Sequence, residues 1–201
     1  MFKREEIEII LKQAQKVDKK YELFGASTHK YKLNPPIRDS FVRSVEEKYG
    51  FTLPKDYFQF ITEVGDGGAG PDYGLQSFTE FLSEGKDTFS KQYWEEYRYS
   101  LAKPFVPRLM EAHEVEEFSI TTQEAYERNP EHYFICEEDL ETKFCDTDGY
   151  LVLGTHGCQW DFGLITAGER YGQVFDTDNE GGYAFVANSF TEFYQKWLDR
   201  M

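Results

Sequence analysis

The chain has 201 residues, with 37 acidic and 22 basic side chains and a formal net charge of −15; 40% of its residues are apolar and 17% aromatic. That apolar content excludes a disordered chain, and the length suits a single domain over 1–201, with room for an insertion. So acidic a chain is not expected to bind nucleic acid or anionic lipid directly; its charge serves either solubility or the attraction of basic partners.

The charge is uneven. Residues 1–60 carry a net +3, residues 61–201 carry −18, and residues 111–148 hold 13 acidic side chains against Arg128 and Lys143. The three cysteines, Cys136, Cys145 and Cys158, are odd in number. Residues 1–20 are charged throughout and no 18-residue apolar run follows, so the expected setting is reducing and cytoplasmic, with free thiols and no membrane span.

In chain order, Ile7, Ile10, Leu11 and Ala14 predict an amphipathic helix over 3–20. Polar residues from Gly25 to Pro35-Pro36 form a loop. A second helix over 37–49 is expected to share Ile37, Phe41, Val45 and Tyr49 on one face and to stop at Gly50. Pro54 opens a third, with Tyr57, Phe58, Phe60 and Ile61 apolar, which ends at Gly65-Asp66-Gly67-Gly68-Ala69-Gly70-Pro71. Tyr73-Gly74-Leu75 is expected to enter the sheet. Phe78, Phe81 and Leu82 suggest a short helical or irregular segment, and 92–101 reads as helix or strand before Pro104 and Pro107 interrupt it. Residues 85–133 lack a clean period, apart from a helical stretch at 121–128, and are expected to form an acidic insertion or elaborated connection. Strands follow at 133–136, 150–154, 160–166, 172–176 and 183–187, with turns about every ten residues, the mark of an antiparallel meander. Ser189 caps a last helix carrying Phe190, Phe193, Tyr194 and Trp197 at i, i+3, i+4 and i+7. The expected class is α+β, with N-terminal helices and a C-terminal helix packed on a largely antiparallel sheet.

No constellation carries chemistry well. The glycine run follows a helix, whereas phosphate loops open one, and Asp66 and Asp72 oppose an anion. Residues 176–181 begin like a calcium loop, but the twelfth position is Ala187. Cys136, Cys145, Cys158 and His156 contain no Cys-x-x-Cys pair. His156 and Cys158 would share a face of a strand, but they sit beside Gly154 and Gly157, where the chain is expected to turn. His29, His113 and His132 stand in polar segments and read as surface residues. No catalytic residue, metal site or cofactor is therefore expected. Trp160 beginning a strand reads as a core or rim residue, with a ligand platform as the alternative.

Leu53-Pro54-Lys55-Asp56-Tyr57, Phe60, the glycine run and Tyr73-Gly74-Leu75 together resemble the leading motif of the SMI1/KNR4 (SUKH) superfamily, of the bacterial immunity-protein type. Leu151-Val152-Leu153-Gly154, Trp160-Asp161, Gly172-Gln173-Val174-Phe175 and the Ser189-Phe190-Phe193 helix resemble its later part, so that 37–75 and 149–199 are covered. The resemblance implies an SMI1/KNR4-like α+β fold and a non-enzymatic protein that binds and neutralises a secreted toxin, often a nuclease. Its alternative is a regulatory scaffold binding a cellular partner. Leu53, Pro54, Tyr57, Gly67, Gly68, Trp160 and Phe190 are then fold determinants. A nuclease needs a basic cleft, which an acidic protein can occlude. The expected contact surface is the acidic stretch 111–148, with Glu114, Glu116, Glu117, Glu137, Glu138 and Asp139. Trp94 and Tyr97, beside Tyr93 and Tyr99, are the expected aromatic anchors. The expected assembly is a monomer or weak homodimer.

Overall fold

A computed structural model describes residues 2–82, 91–117, 120–135, 148–158, 160–177 and 182–201. Helix α1 (Arg4–Val17) buries Ile7, Leu11 and Ala14, as their spacing predicts. After the short α2 (Ala26–His29) comes α3 (Asp39–Tyr49), stopped by Gly50 at φ 76°. The buried stripe of α3 is Val42, Val45, Glu46 and Tyr49: Val45 and Tyr49 are buried as predicted, but Ile37 precedes the helix, Phe41 is exposed, and Val42 and Glu46 take their place. The cause is polar. The connector's Leu53 N–H donates to the buried Glu46 carboxylate (2.7 Å), which Arg43 also pairs (2.7 Å), and this contact turns Glu46 inward.

Helix α4 (Lys55–Gln59) continues into a π-helical turn, Phe60–Val64, whose last ring closes with the Gly65 N–H donating to the Phe60 carbonyl at 2.9 Å. Pro54 stands just before the helix, in extended conformation at ψ 136°. The corner that follows is tied on all sides. Asn34 and Ala69 N–H groups donate to the Gly67 and Lys32 carbonyls, Arg4 donates to the Asn34 and Val64 carbonyls, and the Tyr194 hydroxyl donates to the Ala69 carbonyl (2.9 Å). Gly68 has φ 96°, and a Cβ there would stand 2.4 Å from the Lys32 carbonyl oxygen, so the close approach of 32–34 requires glycine. The Asp66 side chain, 3% exposed at residue level, caps α5 (Phe78–Leu82). It accepts from the Phe78 N–H, the Ser77 hydroxyl and the Thr79 hydroxyl, each at 2.7 Å, and from the Thr79 N–H at 3.3 Å.

Residues 73–75 do not join the sheet. Gly74, at φ 96°, folds Leu75 back onto Gly68 in an isolated bridge, and the Gln76 N–H then donates to the Leu153 carbonyl (2.7 Å). Helix α6 (Lys91–Ser100) settles the ambiguity at 92–101. Its buried Arg98 donates to the Phe81 and Leu82 carbonyls at the C-terminal end of α5. The stretch expected to be an insertion adds β1 (Arg108–Leu109), a 3-10 turn (Ala112–Glu117) and, where a helical stretch is expected, α7 (Ile120–Arg128); the strand expected at 133–136 is β2 (Tyr133–Ile135).

The meander is β3 (Tyr150–Gly157), β4 (Trp160–Ile165), β5 (Val174–Thr177) and β6 (Gly182–Ala187). The described residues form a six-stranded sheet in the order β1-β2-β6-β5-β4-β3, with every pair antiparallel. Helices at both ends of the chain and this sheet make the fold α+β. One face, with Leu151, Phe162, Leu164 and Val174, packs under α8 (Phe190–Leu198), whose Phe190, Phe193, Tyr194 and Trp197 are all buried. The other carries Tyr150, Ile165, Phe175 and Tyr183, packed around Phe105. Ser189 caps α8 as predicted, accepting from the Glu192 N–H (3.1 Å), and the Asp56 carboxylate accepts from the Thr191 N–H (2.8 Å). His29 is less superficial than expected. Its ring meets those of Tyr31 and Trp197, its Nδ1 accepts from the Tyr31 N–H (3.0 Å), and burial pushes its pKa down.

Asp66→Ala strands four donors and is expected to lower stability by about 3 kcal/mol, read as a lowered urea midpoint. Asp66→Asn keeps one carbonyl acceptor and is expected to lose about half as much. Equal midpoints for Asp66→Ala and the parent chain would show that the cap is not needed.

Candidate functional site

The acidic surface expected around 111–148 divides into parts. Glu114 is committed within the fold: its carboxylate accepts two bonds from Arg108 (2.8 and 2.6 Å) and one from the Glu111 N–H (2.7 Å). The Arg108 guanidinium holds its pKa down to about 2. Glu116 and Glu117 lie on the 3-10 turn. Glu111, Glu124, Glu127 and Glu131 are exposed along this turn, α7 and the segment after it. Glu137, Glu138 and Asp139, with Cys136 and Cys145, lie outside the described residues, as do residues 178–181 of the 176–181 stretch that begins like a calcium loop.

The expected aromatic anchors face inward. Tyr97 is buried; its hydroxyl accepts from the Val152 N–H (3.1 Å) and donates to the Tyr150 carbonyl (3.4 Å), satisfying the outer edge of β3. Trp94 is half-buried against the main core. Tyr99 is exposed, with its ring on Tyr49 at 5.0 Å. Helix α6 turns Tyr97 inward because its hydroxyl meets the backbone groups of the β3 edge, which need partners.

A second constellation forms at the far end of β3 and β4. The strand does not turn at Gly154; it runs on to Gly157 through two bulges, and Leu153 and His156 are the residues skipped in the pairing with β4. The bulge aims His156 along the ring of Phe162 (4.3 Å) and between two carboxylates: Nδ1 is 2.5 Å from Asp72 and Nε2 is 3.0 Å from Asp176. Burial disfavours the imidazolium, but the Asp176 and Asp72 carboxylates together outweigh it and raise the pKa above the usual histidine value. Both ring nitrogens are thus engaged, and neither is left to activate Cys158, which is exposed in the turn beyond. Among the described residues no group of three or more His, Cys, Asp and Glu side chains is arranged to hold a metal ion.

Beside this clasp stands an aromatic ledge. A Cβ on Gly25 would fall 1.8 Å from the Asp72 carbonyl oxygen, so the 21–25 loop lies directly on the corner backbone. The Phe24 ring then meets Tyr73 at 5.2 Å. Tyr73 in turn covers Gly157, where a Cβ would stand 3.0 Å from its ring. Trp160 pairs opposite Gly157 and is 39% exposed, while Phe24 is 64% and Tyr73 39% exposed. The sequence marks Trp160 and His156 but not Phe24 or Tyr73. Their only local signal is an aromatic beside a glycine, Phe24-Gly25 and Tyr73-Gly74. Of the expected fold determinants, Leu53, Pro54, Tyr57, Gly67 and Phe190 are buried and Gly68 half-buried, whereas Trp160 stands at the surface.

These features define an α+β protein whose candidate sites are exposed surfaces on an open antiparallel sheet. A profile of the SMI1/KNR4 family (SUKH-1) matches residues 36–196, and the chain belongs to that family, which is of the immunity-protein type. No curated protein matches the chain, and no solved structure does. Among the described residues no helix is long and apolar enough to cross a membrane.

The His156 clasp gives stability a defined pH dependence. Because the folded pKa is raised, its contribution is complete below the unfolded value of about 6.5 and is lost as pH rises through the folded value. The excess urea midpoint of the parent chain over His156→Gln is expected to be larger near pH 6 than near pH 8.5. An excess that stays constant across that range would mean that no charged bridge forms.

Proposed function

We propose that the protein is a cytoplasmic, non-catalytic immunity protein that binds a basic protein toxin, a nuclease, and neutralises it by occluding the active site. Membership of the SMI1/KNR4 family (SUKH-1) carries this reading, and the net charge of −15 supports it. A nuclease must present cations to a polyanionic substrate, so its cleft is complementary to an acidic surface. The exposed Glu111, Glu124, Glu127 and Glu131 supply such a surface at the β1 edge of the sheet, and Glu116, Glu117, Glu137, Glu138 and Asp139 extend the acidic stretch along the chain. Exposed carboxylates of this kind act on encounter rate more than on lifetime, because complementary fields steer diffusion before contacts form.

Co-expression with a nuclease domain encoded beside this gene is expected to restore growth, through a complex whose affinity falls at least about tenfold between low and high salt. Glu124→Lys with Glu127→Lys is expected to slow association about tenfold at low salt and to leave dissociation nearly unchanged. Failure to relieve toxicity would overturn the proposal. Recovery of one stoichiometric cellular protein from unchallenged cells would favour a regulatory scaffold instead.

A further inference from the structure

We propose that the ledge formed by Phe24, Tyr73 and Trp160, with the carboxylates of Asp72 and Asp176 at its margin, is a docking surface for an arginine side chain of a basic protein partner. This rests on the reading above for the partner's charge, and it places the contact at the β3–β4 end of the sheet, away from the acidic surface beside β1.

Three observations carry it. First, three large aromatic side chains are exposed on neighbouring segments: Phe24 of the 21–25 loop and Tyr73 of the corner are in ring contact, and Tyr73 lies against Gly157, the residue that pairs with Trp160 of β4. Contiguous exposed aromatics mark interaction sites, and tryptophan and tyrosine dominate the energetics of such contacts. Second, the ledge is held in place without being covered. Gly25 lets its loop touch the Asp72 backbone, Gly157 leaves the space that Tyr73 fills, and His156 ties Asp72 to Asp176 across the two segments. Positioning before binding lowers the entropy lost on association. Third, the Asp72 and Asp176 side chains remain 30% exposed, and Asp72 is the chain neighbour of Tyr73, so carboxylate acceptors reach solvent at this end of the sheet. A guanidinium suits that pairing better than an ammonium, because it stacks on rings and donates in its own plane to carboxylates.

The charge also selects among occupants. A second copy would bring another net charge of −15 to the surface, and like charges oppose that association. Lys20, in the neighbouring loop, stands 3.9 Å from Glu22.

The test is a titration of the ¹⁵N-labelled 201-residue chain with an octa-arginine peptide, with octa-lysine and octa-glutamate peptides in parallel. Shifts are expected at the amides of 22–25, 72–76 and 155–160 and at the Trp160 indole, with arginine bound at least about threefold more tightly than lysine. Trp160→Ala and Phe24→Ala are each expected to weaken arginine binding about fivefold to tenfold. Both side chains are exposed, and an otherwise unchanged amide spectrum checks that each variant folds. The Glu124→Lys, Glu127→Lys double variant is expected to leave the shifts at this end in place. Shifts confined to 111–131, or equal binding of arginine and lysine, would overturn the ledge while leaving an acidic surface for a basic toxin intact. Shifts nowhere would likewise overturn it, and toxin neutralisation would still be judged separately by growth.

Discussion

The buried carboxylate of Asp66 is the interaction on which the arrangement of layers depends. A buried charge is costly unless several donors surround it, and here four do, all from the first residues of the next helical segment. That requirement fixes the chain direction as it leaves the glycine corner. The corner itself is gripped by α1 through Arg4, by the 32–37 segment through its backbone, and by α8 through Tyr194. Elements separated by more than a hundred residues therefore meet at one short run of glycines. Side chains at Gly67 or Gly68 would strike backbone atoms there.

The corner also determines what becomes of the sheet's outer edge. Among the described residues no strand pairs with the outer edge of β3, and such edges recruit whatever can satisfy them. Gln76 supplies one N–H to Leu153, and the Tyr97 hydroxyl bridges Tyr150 and Val152. Tyr97 is thereby consumed by the fold. Past these contacts β3 bulges twice, and the second bulge aims His156 at the two aspartates. Edge protection and the candidate site are thus consecutive features of one strand.

The two surfaces differ in physical kind. Beside β1 the exposed glutamates belong to flexible side chains whose effect reaches through solvent and is screened by salt. At the β3–β4 end Phe24, Tyr73 and the aspartates are fixed by contacts among the 21–25 loop, the corner, the β3–β4 hairpin and β5, so their effect is short-ranged and depends on geometry. A binding protein gains from both, the first accelerating encounter and the second setting orientation.

Much of the fold was legible in the sequence, because strand alternation, glycine punctuation and the Ser189 cap are local signals. The meander from 150 to 187, the stop at Gly65 and the buried stripe of α8 follow from residues within a few positions of one another. Where the reading failed, a distant polar group decided. Glu46 turned α3 to meet Leu53, and β3 drew in Tyr97, against an aromatic pattern that pointed outward. Leu75 folded back to pair with Gly68, so the segment that looked like a first strand never reached the sheet. Of the candidate site, the sequence alone determined its acidity and marked Trp160 and His156 as unusual. Only the tertiary structure brought Phe24, Tyr73, Asp72 and Asp176 to them. Composition and periodicity carry charge and local conformation, whereas a surface built from four segments exists only once the close contacts at Gly25, with the Asp72 backbone, and at Gly157, with the Tyr73 ring, set their distances.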